Sequence, residues 1–527
     1  MTALASRPFD IAILAVYFSI SIAIGRIARR PLTSSNEFLN ASRSLPLWIV
    51  SASFLAANCG ALEIMGLSAM AAEFGAQAFQ FYWIGAIPGM IFVALWMIPI
   101  YTRSKVLSVP EYLEERFSLN LRLLNAYVTS FILLSLCGIS LYAMGQVLHV
   151  VFGLGYAVGT LLSAVIVLTY VLLGGVRASI YNEVFLLLVL LAGLVPLFVH
   201  VLPIVKRSAN EPQNWHLWKD IPLTSHTAPF DQIGLIIGLG FVLSFSYWGT
   251  DFVLIQRALA SRTESAARQV PLWAGFGKLI FSLLVVLPGL AAEKIIPHLG
   301  TIHRYDQALP LMMQHFYGPR MLGIGFTALV ATLMSGLGGY VSGFAAIWTQ
   351  DIYRIQLNPG RSENHYLKVG YLSNFAAIVI GAAASSLSFH FKTLIDQVQL
   401  LFSLFSAPFW GVFLLGMTSR KTTSKGALAG FASGISVAAV YHFSAMRGWV
   451  RFGSTMNANF HVAIAAFVIT LLVAQFVSRT GKEAEAHGRV PLHFDWRAAW
   501  TSEQGPMLFL LSGILLICCI ALNIYWR

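Results

Sequence analysis

Apolar residues in this chain gather into stretches of about twenty, separated by short polar segments, and the pattern repeats from residue 9 to residue 525. An α-helix rises about 1.5 Å per residue, so about 20 such residues cross about 30 Å of hydrocarbon. Runs such as FLLLVLLAGLVPLFV at 185–199 show no alternation of apolar and polar positions. That excludes a spanning β-barrel, whose strands alternate over about ten residues. The pattern predicts helices at roughly 9–27 (α1), 47–71 (α2), 76–100 (α3), 121–150 (α4), 156–175 (α5), 180–203 (α6), 233–256 (α7), 271–291 (α8), 322–350 (α9), 365–387 (α10), 393–417 (α11), 426–444 (α12), 459–478 (α13) and 507–525 (α14). The division between α5 and α6 is set at Gly174-Gly175.

Composition agrees with an all-α membrane protein of about fourteen transmembrane helices. Hydrophobic residues make up 57% of the chain and charged residues 11%, less than half of the roughly 25% charged share of a soluble domain. The net charge of +12 is spread over short loops rather than gathered on one face, which argues against nucleic acid as a partner and leaves membrane lipid as the surroundings. Of the 34 Lys and Arg, 22 fall in or beside the loops that follow odd-numbered helices and 11 at the termini and the other loops. The cytoplasmic side carries the excess, so the chain is expected to be a multi-pass inner-membrane protein with both termini outside. The last basic residue, Lys278, lies about eight residues into α8, about 12 Å deep. The first stretch lacks a basic start and is followed by Arg26, Arg29 and Arg30, which reads as a retained helix rather than a signal peptide. The four cysteines, all in apolar runs without metal-type spacing, imply neither disulfides nor a zinc site. The longest segments outside the helices, 204–232, 293–321 and 479–503, hold no catalytic module, and the spans lack a histidine cluster or a nucleophile beside a base. An enzyme is not expected. A membrane sensor is a distant alternative, with no kinase-like region after α14.

Polar groups within the apolar stretches indicate where chemistry can occur. The α2 string LWIVSASFLAANCGALEIMGLSAMAA places Asn58, Cys59 and Gly60 at its centre and Glu63 one turn on. The α7 string IGLGFVLSFSYWGTDFVLIQ holds Ser244, Ser246, Tyr247, Gly249 and Asp251. These strings suit either helices unwound at membrane depth, which offer carbonyls and helix ends to an ion and a solute, or helices packed closely through small residues. Glu63 and Lys278 each cost about 2.5 to 3.5 kcal/mol or more at a helix centre, so both should face the bundle interior and can pair, as ligands or as a structural ion pair. Glu183 in α6 and Asp251 in α7 lie nearer the cytoplasmic side, where they can snorkel or pair with Arg177 and Arg257. In α9, Thr332, Ser335 and Gly336 share a face, and hydroxyls there suit a hard cation such as sodium.

Together these strings resemble the sodium/solute symporter family, over nearly the whole chain. The resemblance rests on FLNASRSLPLWIVSASFLAANCGALEIMG, LSVPEYLEERF, YWGTDFVLIQRALA, KLIFSLLVVLPGLAA, TQDIYR and FLLGMTSRKTTSKGALAG, in the family's order. It implies a LeuT-type fold with two inverted five-helix repeats at 47–203 and 233–417, preceded by an extra helix and loop at 1–46 and followed by three extra helices at 418–527. It also implies a sodium site with carbonyls at Ala56, Cys59 and Thr332 and a hydroxyl at Ser335. Gly336 stands where the family usually has a second Ser or Thr, so sodium is the expected coupling ion while proton-coupled or sodium-independent transport stays open. No organic cofactor is implied. Glu183 matches an acid on the ion-release route. Asn58, Tyr247, Lys278 and Gln399 match the sugar site of the galactose transporters, with Tyr247 as an aromatic inner gate. Glu63 replaces a Gln there, Tyr82 a Glu, Gly85 a Ser and Ser244 an Asn. A small polar solute follows, with a sugar, polyol or sugar acid favoured.

Overall fold

A computed structural model of the chain describes residues 8–28, 45–104, 109–171, 176–208, 217–218, 221–480 and 505–526. Helical backbone lies along every expected stretch, and no strand forms among the described residues. Among the described residues ten helices are long and apolar enough to cross a membrane, and four shorter apolar helices occur at Pro8–Ile24, Leu47–Asn58, Tyr156–Leu168 and Gly234–Thr250. The assigned boundary at Gly174-Gly175 falls outside the described residues.

Three stretches break in mid-course, α3 at a turn over 84–86 and α2 and α7 at more polar positions. α2 is Leu47–Asn58 (α2a) and Ala61–Phe74 (α2b). The chain then turns into α3 at Gly75, whose φ of 73° is a conformation that glycine adopts without Cβ strain. α7 runs as a π-helix over Gly234–Leu243 and an α-helix over Ser244–Thr250, breaks at Asp251, and resumes over Phe252–Leu259. α11 carries a π-helical segment at Phe402–Ser406, directly after Leu394–Leu401. Wide turns of this kind disturb the regular hydrogen-bond ladder, and both lie beside the polar centre of the bundle.

α8 is longer than its apolar core suggested. The Thr263 side chain accepts the Ala266 amide at 3.1 Å and caps a 32-residue helix, Glu264–Ile295. Lys278 is therefore its fifteenth residue, at the middle of the helix and deeper than the eight residues counted from the apolar run. Two segments expected as loops contain helices, Val109–Arg116 and Ala308–Phe316. Val109–Arg116 has few apolar residues, and Ala308–Phe316 is apolar but only nine residues long, so neither makes an apolar run of membrane-crossing length.

α2 is held between α8 and α6, while α4 packs on α9 and α10. α1 lies against α9 and α6, α12 and α13 form an adjacent pair, and α14 leans on α8 and α3. The break in α2 is thus enclosed by protein and that in α7 borders a cavity, the two settings in which irregular backbone is tolerated at membrane depth.

Candidate functional site

An unbroken helix would join the Gly60 amide to the Ala56 carbonyl and the Glu63 amide to the Cys59 carbonyl. Neither bond forms. Cys59 leaves the helical region with ψ 49°, and Gly60 is extended with ψ 166°. The Gly60 amide donates to the Asn58 carbonyl at 2.7 Å, and the amides of Glu63 and Ile64 both donate to the Gly60 carbonyl, at 3.1 and 3.0 Å. The carbonyls of Ala56 and Cys59 thereby lose their helical donors, while both residues stay buried. α9 packs against both halves of α2. On it Thr332 is fully buried and its hydroxyl donates to the Ala328 carbonyl of its own helix, leaving the oxygen's lone pairs as acceptors. Ser335 is partly buried one turn on. A methyl group placed on Gly336 would touch nothing nearer than the Tyr340 ring, at 3.9 Å, so there is room for a side chain or a water.

The expected solute residues lie on both sides of the same break. The Asn58 side-chain amide donates to the Tyr247 hydroxyl at 2.8 Å, joining α2 to α7. Lys278 donates to Glu63, joining α8 to α2b, and its ammonium lies 5.2 Å from the Tyr82 ring centroid and 5.9 Å from that of Trp248. The pair foreseen from the cost of two intramembrane charges therefore exists, enclosed by two aromatic faces. Tyr247 stacks on Phe402, centroids 5.7 Å apart, and Gln399 precedes Phe402 by one turn on α11. Ser244 sits against α3: a methyl group on Gly89 would lie 2.6 Å from its hydroxyl and 2.6 Å from the Trp248 ring, so glycine there lets α3 and α7 close together. Gly85, where a serine was the family's choice, offers its carbonyl to the Trp248 indole at 3.3 Å. Asn58 Oδ1, Ser244 Oγ and Gln399 Oε1 are buried without a protein partner.

Trp248 and Phe402 were not among the residues singled out from the sequence. Both occur in strings already polar enough to attract attention, but an aromatic in a membrane helix is usually packing, and only the fold brings these two to the site.

The two acids nearer the helix ends differ. Glu183 is buried, and its carboxylate is forked by Arg257, at 2.5 Å from Nη2 and 3.1 to 3.2 Å from Nε, while Ser53 of α2a donates to its other side. This ties α6, α7 and α2a together. The side chain of Arg177, the other partner considered, lies outside the described residues. Asp251 accepts the Leu254 amide at 3.0 Å and caps the second segment of α7.

Beyond Tyr247 lies a cavity of about 90 Å³. Asn125 and Leu136 of α4, Asp251 of α7, Tyr340 of α9 and Phe405 of α11 line it, together with Val109 of the short helix before α4. Tyr247 thus stands between the Lys278 cluster and this cavity.

A broken α2 and α7 in one bundle, with polar groups at both breaks, directs comparison to transporters. Residues 38–434 match the description of the Sodium:solute symporter family. The chain belongs to that family. Relatives within reach of this symporter-family chain include a sodium/glucose cotransporter of Vibrio parahaemolyticus, 28% identical over 82% of this chain and 85% of the relative. A sodium/mannose cotransporter of Bos taurus is 25% identical over 82% and 78%, and a sodium/myo-inositol cotransporter of Mus musculus is 26% identical over 81% and 69%. A solved sodium-coupled sialic acid symporter superposes with a TM-score of 0.76 at 17% identity, covering 91% of this chain and 99% of that one, which shows a shared LeuT-type fold. The family's members are transporters rather than enzymes, and this symporter-family chain is a multi-pass membrane protein of that kind.

Proposed function

We propose that the chain carries a small, neutral, hydroxyl-rich solute across the inner membrane together with sodium. One observation carries the reading: the break in α2 releases the carbonyls of Ala56 and Cys59 on one side and binds α7 through Asn58 and Tyr247 on the other. Sodium prefers a cage of oxygens, and those two carbonyls with Thr332 and Ser335 would supply one, with Gly336 leaving space for a water. Sodium bound there fixes the shape of the break and so the position of Asn58. Ion and solute then stabilise each other by one shared coupling free energy.

The electrostatics favour a sugar or polyol over a sugar acid. Glu63 neutralises Lys278, so the site offers no unmatched positive charge to a carboxylate. Asn58 Oδ1 and Gln399 Oε1 are acceptors awaiting donors, which hydroxyl groups provide. The relatives named for glucose, mannose and myo-inositol support this class.

With the charge count placing the Val109 and Asp251 ends inside, the cavity below Tyr247 is the inward route and the conformation faces the cytoplasm. Residues 47–203 and 233–417 form the two inverted repeats, α1 and α12 to α14 are additions, and both termini lie outside. Transport proceeds by alternating access, with Tyr247 leaving Asn58 to let the solute into the cavity. Glu183 serves the ion's departure after Arg257 yields, since both its oxygens are engaged here.

Thermal unfolding of the purified protein tests the reading, because a ligand that binds only the folded state raises the midpoint. A hexose or polyol is expected to raise it in sodium and not in choline. Equal stabilisation in both salts rejects sodium coupling, and stabilisation by hexuronates alone rejects a neutral solute.

A further inference from the structure

At the end of the bundle opposite the cavity, the short turn Tyr305–Gln307 joins three helices. Asp306 is fully enclosed, and its Oδ1 accepts the Leu394 amide at 2.9 Å, which opens the α11 segment carrying Gln399. Gln307 donates to Gln146 of α4 at 2.7 Å, and the same turn packs on α2b. The far end of α2b carries Glu73, and the first turn of α11 carries Asp396, which Thr455 of α13 holds at 3.0 Å. Asp306 Oδ2 and Glu73 Oε2 are buried without a partner.

We propose that Asp306 is a positioning residue, a proton-set latch that holds the outer half of α11 closed over the solute site. This rests on the alternating-access reading above. Three carboxylates from three different elements meet here, so their mutual repulsion opposes closure, and one proton on the unpartnered oxygen of Asp306 removes part of it and adds a donor among the acceptors. The groups that face Asp306 are Arg304 on its own loop, Glu73 from α2b, Asp396 from α11 and Tyr142 from α4. Lys392 approaches Glu73 at 3.8 Å but is mostly exposed, and Tyr305 and Glu293 lie on the Glu73 side. Burial pushes Asp306 up to about 7, with Asp396 and Glu73 adding to the rise and the Leu394 amide and Arg304 opposing it. In the open, hydrated state the carboxylate would return toward about 4. The closed state therefore binds the extra proton between these values, and external alkalinisation through about pH 7 should shift the protein toward opening.

Cys59, buried at the α2 break, reports on that opening. In full-length protein carrying Cys137→Ser, Cys518→Ser and Cys519→Ser, its modification by an external, membrane-impermeant cationic methanethiosulfonate would be followed in whole cells. Rates of variant and parent are compared at the same pH, which cancels the thiol's own chemistry. Asp306→Asn keeps the acceptor for Leu394 and imitates the protonated acid. Its rate should fall below the parent's at both values, by about three- to tenfold more at about pH 8.5 than at about pH 5.5, because the proton's hold on the closed state is complete only below about pH 4 and is lost as pH rises through about 7. Asp306→Ala should react faster than the parent at both values. Glu73→Gln should follow Asp306→Asn in direction, which keeps the test decisive if the alanine variant does not fold. An Asn-to-parent ratio that is the same at both pH values, or no labelling from outside in any variant, overturns the latch. Labelling needs neither sodium nor solute, so a failure of sodium-coupled transport with the latch intact would be seen separately.

Discussion

The breaks in α2 and α7 differ in what they leave unsatisfied. At α7 the Asp251 carboxylate accepts the Leu254 amide, so the second segment begins with its own cap. At α2 no side chain caps the helix that starts after Gly60, and the carbonyls of Ala56 and Cys59 have lost their donors. A self-capped break is a structural joint. An uncapped one, enclosed by protein, leaves carbonyls that a bound ion or a water can satisfy.

The largest effect that would break this contrast concerns the charges around the α2 site. Lys278→Met leaves Glu63 without its partner and should cost about 3–5 kcal/mol, read as lost folded yield. Combining Lys278→Gln with Glu63→Gln should restore most of the yield. If uptake then returns too, the pair is only structural; continued loss of uptake from folded protein assigns it to the solute. Asn58→Ala should weaken solute binding by about tenfold, a loss of about 1.4 kcal/mol, in isothermal titration. An unchanged affinity would remove Asn58 from the site. Asp251→Ala should lower unfolding stability by about 1 kcal/mol while leaving the sodium and solute affinities as they were. A change in sodium affinity instead would make the two breaks alike. Gly336→Ser adds a hydroxyl where there is space and should raise apparent sodium affinity about threefold, a gain of under 1 kcal/mol. A loss of affinity would mean that the space is needed for something other than an oxygen ligand.

Much of this contrast was legible in the sequence. Helices at membrane depth announce themselves by length, and the strings around Asn58-Cys59-Gly60 and Asp251 are polar where polarity is costly. Lys278 and Glu63 could be paired on energetic grounds, since each alone is expensive. What the sequence did not reveal depends on side chains meeting across helices. Nothing in the spacing links Trp248 to Lys278, nor Arg257 to both oxygens of Glu183. The π-helical windings at Gly234–Leu243 and Phe402–Ser406 have no local signature, because tertiary contacts compensate for the irregular ladder. The Asp306 latch joins a loop residue to a helix start 88 positions away, a contact that only the fold creates.

Uptake into proteoliposomes tests the central claim most directly. Vesicles holding the purified protein would be given a labelled hexose or polyol that stabilises it, under an inward sodium gradient or an equal gradient of choline. The account predicts accumulation above the outside concentration with sodium, only equilibration with choline, and loss of the accumulation when a sodium ionophore collapses the gradient. Accumulation that is the same in choline, or that follows a proton gradient alone, would contradict a sodium site at the break in α2.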